Sequence, residues 1–164
     1  RGDWMREKWK VKKGWIKVVV LGNSEGKIVD IRVGNEDLDE RKSSRGMIRR
    51  NKTKIKKLLG DALHDCKDTF ELCERANIEP VIKIRKNALA KGLSARAKEV
   101  KLYKKLGYEK WAKQKGYGLR WLCTEGIFSA VKRIFGEFVR CVKKRDMYHE
   151  AKLKFWAYNL LLDC

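Results

Sequence analysis

Glu125 and Lys132 stand seven residues apart in the stretch 117–136, YGLRWLCTEGIFSAVKRIFG. Ile127, Val131, Ile134 and Phe135 recur there at three- and four-residue steps, which is a helical apolar pattern. Two helical turns bring Glu125 and Lys132 to nearly the same face. A carboxylate and an ammonium therefore share one stripe, preceded by Tyr117 and Arg120. Taken alone, such a stripe is an amphipathic helix with solvated charges. Asp61 is the second acid of interest, in the short run 56–62 (KKLLGDA), where by itself it is a turn residue. His64 follows closely, but a lone His beside a turn is usually structural and magnesium does not favour imidazole. Asp65 is read as a helix cap.

Charge is the reason to take these acids together. The chain has 164 residues with 41 Lys and Arg against 21 Asp and Glu, a formal +20. A charge that large speaks of partners before it speaks of fold. Polyphosphate is the obvious counter-surface, because each phosphate neutralised releases condensed counterions. An acidic membrane surface competes, yet no stretch approaches the roughly 20 apolar residues of a spanning helix. A soluble chain is expected. The charge is also uneven. Residues 1–60 hold 18 cations and 8 acids, a net +10, and residues 91–164 hold 18 and 7, a net +11. Residues 61–90 hold 5 and 6, a net −1. An Asp-rich, near-neutral segment between two cationic ones suits a metal site set inside a nucleic-acid-binding surface, and equally suits one acidic helix in a basic protein.

The elements that must position these residues can be read in order. Length and a 43% apolar fraction suit one domain with a real core. Residues 1–13 set two Trp among six cations, which could flank nucleic acid or be pinned against the domain. Residues 14–21 and 27–33, separated by the turn GNSEG, form an antiparallel hairpin. A helix lies within 39–57, a short strand runs over 56–62, and a helix over 65–76 turns Phe70, Leu72 and Cys73 inward. Residues 80–84 are another strand, 85–98 a loop or weak helix, and 99–113 a helix interrupted at Gly107. Residues 147–162 close the chain as an apolar helix that must be packed. The five cysteines are odd in number with no Cys-x2-Cys pair, so reduced thiols are expected rather than a zinc ribbon or a disulfide framework.

The series Tyr117, Arg120, Glu125, Lys132 resembles the C-terminal signature of insertion-sequence DDE transposases, Tyr-x2-Arg-x3-Glu-x6-Lys. The Tyr-to-Arg and Glu-to-Lys spacings match, and the Arg-to-Glu gap holds four residues instead of three. Residues 60–65 (GDALHD) resemble the family's motif around its second Asp, Asp-Gly-Ala-Tyr-Asp, with Ala62 in place of Gly and His64 in place of Tyr. The resemblance implies an α/β fold, an RNase H-like mixed sheet flanked by helices, in a single partial catalytic domain over 1–164. It implies Asp61 and Glu125 as catalytic, metal-holding carboxylates for Mg²⁺, with Mn²⁺ as a substitute. Three convergent carboxylates are what two such ions need in phosphodiester displacement. Lys132, Arg133, Arg120, Tyr117, Arg85 and Lys86 become DNA contacts, the last two in PVIKIRKN after the second Asp. In this family the first Asp lies on a strand upstream of a segment like RGDWMREKWKVKKGWIKV, so that strand is expected to be absent. Asp3, the nearest acid, sits in a basic stretch without strand pattern.

The leading function is therefore a DNA transposase that cleaves and transfers strands at transposon ends. As an incomplete copy with two of three carboxylates, this chain alone is expected not to cut DNA. Its partner is double-stranded DNA, both transposon ends and target, with no membrane and with a homodimer on DNA left open. Its place is cytoplasmic, with the nucleoid. Two alternatives remain open: a non-catalytic basic nucleic-acid-binding protein, and a nuclease of the same superfamily.

Overall fold

A computed structural model describes residues 6–8 and 14–164. Asp3 and the Trp-containing stretch around it lie outside the described residues. The chain divides into two compact units: the described residues up to Met47 together with Trp121–Cys164, and Ile48–Arg120.

In the first unit, β1 (Lys17–Gly22) and β2 (Ile28–Gly34) pair antiparallel, as the alternating residues require. Val18 faces Val33 and Val20 faces Ile31, so one side of the hairpin is apolar. That side meets α4 (Ile127–Phe135) and α5 (Lys144–Leu162), with α1 to α3 defined below. Ile28, Ile31, Ile127, Val131, Phe155 and Tyr158 form the buried cluster. Phe128 and Phe155 add an edge-to-face ring contact at 5.2 Å. α5 packs through Met147, Ala151, Phe155 and Tyr158, at steps of four, four and three. Asn159 of that helix acts as a third strand would. Its Oδ1 accepts from the Ile28 amide and its Nδ2 donates to the Ile28 carbonyl, both at 2.8 Å. Lys154 donates to the carbonyls of Phe135 and Phe138, and Glu150 accepts from the amides of Arg140 and Cys141. These bonds tie the segment after α4 to α5.

Helix α1 (Glu40–Asn51) buries Met47 and Ile48, the two apolar residues of an otherwise polar stretch. The second unit carries β3 (Lys57–Gly60), α2 (Lys67–Arg75), β4 (Glu79–Ile82) and α3 (Ala95–Lys115). β3 and β4 run parallel, joined by α2, which is the right connection for a parallel pair. α2 buries Thr69, Phe70 and Cys73, while Leu72 is only half-buried. Burial pushes the Cys73 thiol up to about 11, so it stays an inert apolar filler. α3 is interrupted where expected, at Gly107, whose φ of 74° puts it in the region that favours glycine. Val81, Trp111 and Tyr117 form the core of this unit. Lys115 bridges Glu79 and Glu99 beside it, and although burial opposes its charge, the two carboxylates hold its pKa above the ordinary value.

The mixed α/β class expected from the sequence is what the chain has. Among the described residues its strands form two two-stranded sheets, one antiparallel and one parallel. All five cysteines are free.

The Tyr117 phenol has its pKa pushed up to about 12, mainly by burial; Arg120 pulls it down and Asp61 adds to the rise. The folded chain therefore holds a proton that the unfolded chain releases near the ordinary value of 10.0. The associated stability is present below that value and is lost as pH rises through about 12. Denaturant unfolding under reducing conditions should show stability falling more steeply between these pH values in the parent than in Tyr117→Phe. Equal slopes would contradict the burial of this phenol.

Candidate active site

Asp61 is placed by β3. Parallel strands point their carboxyl ends to the same edge, and open α/β sheets bind ligands at that edge. β3 and β4 are in register from Lys57 against Glu79 to Gly60 against Ile82, and the Lys83 amide extends the ladder to the Gly60 carbonyl. Asp61 is the residue that follows β3. Its Oδ1 accepts from the Leu63 amide at 2.9 Å, capping a 3-10 turn at Ala62–His64 and orienting an exposed carboxylate. His64 lies beside Gly60, where an added Cβ would meet its Cβ at 3.3 Å.

Asp65 does not cap α2. The cap position belongs to Cys66, and Asp65 is buried with its side chain fully covered. Its two oxygens accept a fork from Arg96, Nε at 2.6 Å and Nη2 at 3.0 Å, and Oδ2 also takes the Arg85 amide at 3.0 Å. A planar guanidinium matches a carboxylate in this way, and a buried acid needs such a partner. Arg96 lies 31 residues away in sequence, beyond the reach of periodicity or local motif. Arg85 turns its guanidinium back on the Asp61 turn, donating to the Ala62 carbonyl at 2.9 Å. Lys86 is exposed beside it.

Tyr117 is buried, its ring 5.2 Å from Trp111 and 6.4 Å from Tyr108. Arg120 lies over that ring at 5.7 Å. The same unit therefore gathers Asp61, Arg85, Tyr117 and Arg120, while the Trp111 indole nitrogen is buried with no hydrogen-bond partner among the described residues.

Glu125, Lys132 and Arg133 belong to the other unit. The single long helix expected over 117–136 is instead a 3-10 turn (Tyr117–Leu119), a π-helix (Leu122–Gly126) and α4. Glu125 is exposed on the π-helix. A π-turn closes on residue i+5 rather than i+4, so it takes up one additional residue. The fourth residue between Arg120 and Glu125 falls in this element, which leaves the phase of α4 undisturbed. Ile127 and Val131 are buried as expected, but Ile134 is 48% exposed because α4 ends one residue after it. Lys132 pairs with Glu137 at 3.2 Å, both side chains exposed, and Arg133 is exposed as well. The π-helix sits against Gly22 of β1: an added Cβ there would lie 2.2 Å from the Cys123 carbonyl oxygen, so only glycine allows this approach. Among the described residues no three His, Cys, Asp or Glu side chains gather into a group that could hold a metal.

Comparison with known proteins decides the family. A family model described as Transposase DDE domain matches residues 1–160. The chain belongs to this family. No curated protein and no solved structure matches it. As a transposase DDE domain it falls among the proteins of DNA transposition and DNA recombination, which agrees with a chain of +20. Its described part has no helix long and apolar enough to cross a membrane. The one departure of the transposase signature from the expected spacing thus coincides with the π-helix, and that extra residue is the sequence signal for it.

Deleting Thr124 should convert the π-helix to α-helix and leave α4 in place, changing unfolding free energy by less than about 1 kcal/mol. Deleting Ala130 should rotate Val131 out of the core and cost about 3 kcal/mol or more. Circular dichroism with denaturant titration measures both, and equal damage would refute the one-residue account.

Proposed function

We propose that this transposase domain breaks and joins phosphodiester bonds at transposon ends with divalent-metal assistance, and that Asp61 and Glu125 are two of its metal-holding carboxylates. The reading is carried by the family match over residues 1–160, taken with Asp61 at the carboxyl end of a parallel strand pair. In chain order, a hairpin, a strand ending in Asp and a helical Glu follow the RNase H-like layout, which is part of the proposal.

The donor chemistry fits the implied ion. Carboxylate oxygens suit a hard cation such as magnesium, with manganese as a substitute. The Leu63 amide fixes how the Asp61 carboxylate is presented. When bound, the ions would activate the attacking oxygen and stabilise the leaving one. Two carboxylates are too few for a two-ion site, so a third from outside the described residues completes it in this account. Residues 6–8 and 14–164 alone are then insufficient for cleavage.

Lys132, Arg133, Arg120, Arg85 and Lys86 take DNA phosphates. The Lys132–Glu137 pair is exposed and worth little, so the ammonium can exchange Glu137 for phosphate. Tyr117 serves by supporting Arg120 from below, since its own ring is packed in the core. A homodimer on DNA is compatible with this reading.

Binding of duplex DNA should weaken on the order of 10³-fold or more between about 50 and 200 mM salt. Lys132→Ala should weaken transposon-end DNA more than random duplex, by anisotropy titration. Equal loss on both would make Lys132 one cation among 41. Cleavage with Mn²⁺ or Mg²⁺ should disappear in Asp61→Asn and in Glu125→Gln whenever the assayed chain is active. Cleavage surviving both changes would overturn the assignment, and DNA binding without any metal response would favour the non-catalytic reading.

A further inference from the structure

One cation-lined hollow shares only Arg85 with the residues proposed above to take DNA phosphates. It lies within the unit Ile48–Arg120, against the start of α2, the segment after β4 and the first turn of α3. Its volume is about 470 Å³. Lys67, Arg85, Lys91 and Arg96 line it, with Asn87 and Ser94 as neutral polar groups. The one acid in its wall is Asp65, and that carboxylate is already covered and taken by the Arg96 fork and the Arg85 amide. Asp65 matches one of the four cations and Glu71, outside the wall, pairs with Lys67 at 3.5 Å, which leaves an excess of two positive charges around a concavity. Like charges held along a concave wall repel one another, and an anion removes that cost. Ser94 caps α3 there, its Oγ accepting from the Ala97 amide at 3.2 Å, so the positive end of the helix adds to the same field.

Asp65 also gives the hollow its geometry. By taking Nε and Nη2 of Arg96, it fixes the plane of the guanidinium. Arg85 is fixed in turn through Ala62. Two preset guanidiniums, with the Lys91 ammonium and a Lys67 ammonium held only by an exposed pair to Glu71, suit a tetrahedral, doubly hydrogen-bonding oxyanion.

We propose that this hollow is a phosphate pocket apart from the Asp61 carboxylate, that it holds a backbone phosphate of a DNA strand, and that Asp65 is the positioning residue for Arg96 within it. The DNA half of the statement rests on the transposase reading; the phosphate half does not.

The test has two arms on the full chain. In the first, pyrophosphate is titrated and followed by NMR. Amides from residues 94–97 and the Arg96 Nε–H should shift saturably, and a Lys67→Ala/Lys91→Ala variant should bind about tenfold more weakly. Arg96→Lys keeps the charge but loses the fork, and should also weaken pyrophosphate several-fold. No saturable shift, or none of these losses, overturns the pocket; wild-type affinity in Arg96→Lys alone overturns the positioning role of Asp65. In the second arm, duplex DNA affinity is measured against salt. The double variant should show a slope of log K on log salt shallower by about 0.9 for each phosphate it no longer neutralises. Lys98→Ala/Lys104→Ala, two exposed α3 lysines that do not line the hollow, serves as control. A slope equal to that control, with pyrophosphate still bound, overturns the DNA half and leaves a pocket for a free phosphate compound. If no duplex binds at all, the transposase reading fails and the pyrophosphate arm alone decides the pocket.

Discussion

A single buried carboxylate ties three segments of the second unit together. Asp65 joins the turn that follows Asp61, the chain leaving β4 and the first turn of α3, through two bonds from Arg96 and one from the Arg85 amide. Removing one partner of such a buried pair costs about 3–5 kcal/mol, because the other is left as an uncompensated charge. That is a large share of the stability of a small unit. Arg85 closes the loop by bonding back to Ala62, next to Asp61. The acid proposed to meet metal is therefore exposed, but the turn that presents it is anchored to a buried ion pair.

The other unit is set by close backbone approach rather than charge. Gly22 lets the end of β1 approach the Cys123 carbonyl, two residues before Glu125 in the same π-helix. The hairpin needs more than its own two strands to be stable. It gains an apolar face on α4 and α5, and a local stand-in for strand pairing from Asn159. Asp61 follows a strand that buries Leu58 and Gly60, and Glu125 lies on a π-helix that buries Cys123. In each unit buried side chains fix the backbone, and the carboxylate proposed above is exposed on it.

Much of this is legible in the sequence. Alternation in 14–33 reveals the hairpin, the helical steps of Met147, Ala151, Phe155 and Tyr158 place the last helix, and Gly107 marks the break in α3. These are local patterns that depend on side-chain period. Asp65 misleads because an acid just before a helix resembles a cap, while its true partner Arg96 is distant in sequence and carries no periodic signal. The stretch 117–136 reads as one continuous helix because apolar steps do not distinguish an α-turn from a π-turn. Asn159 escapes any sequence reading because its hydrogen bonds to Ile28 depend on tertiary packing alone. The site residues Asp61 and Glu125 come from motif resemblance, and their local surroundings agree with exposed carboxylates rather than with core acids.

The central claim, made as a proposal, is that Asp61 and Glu125 are each metal-holding carboxylates. Paramagnetic broadening by Mn²⁺ tests it directly, because relaxation falls steeply with distance from the ion. Substoichiometric Mn²⁺ should broaden the amide resonances around Asp61 and those around Glu125 at the same concentration, and excess Mg²⁺ should reverse both together. Broadening at one acid without the other, or at neither while exposed acids such as Asp68 and Glu74 respond, would contradict the account.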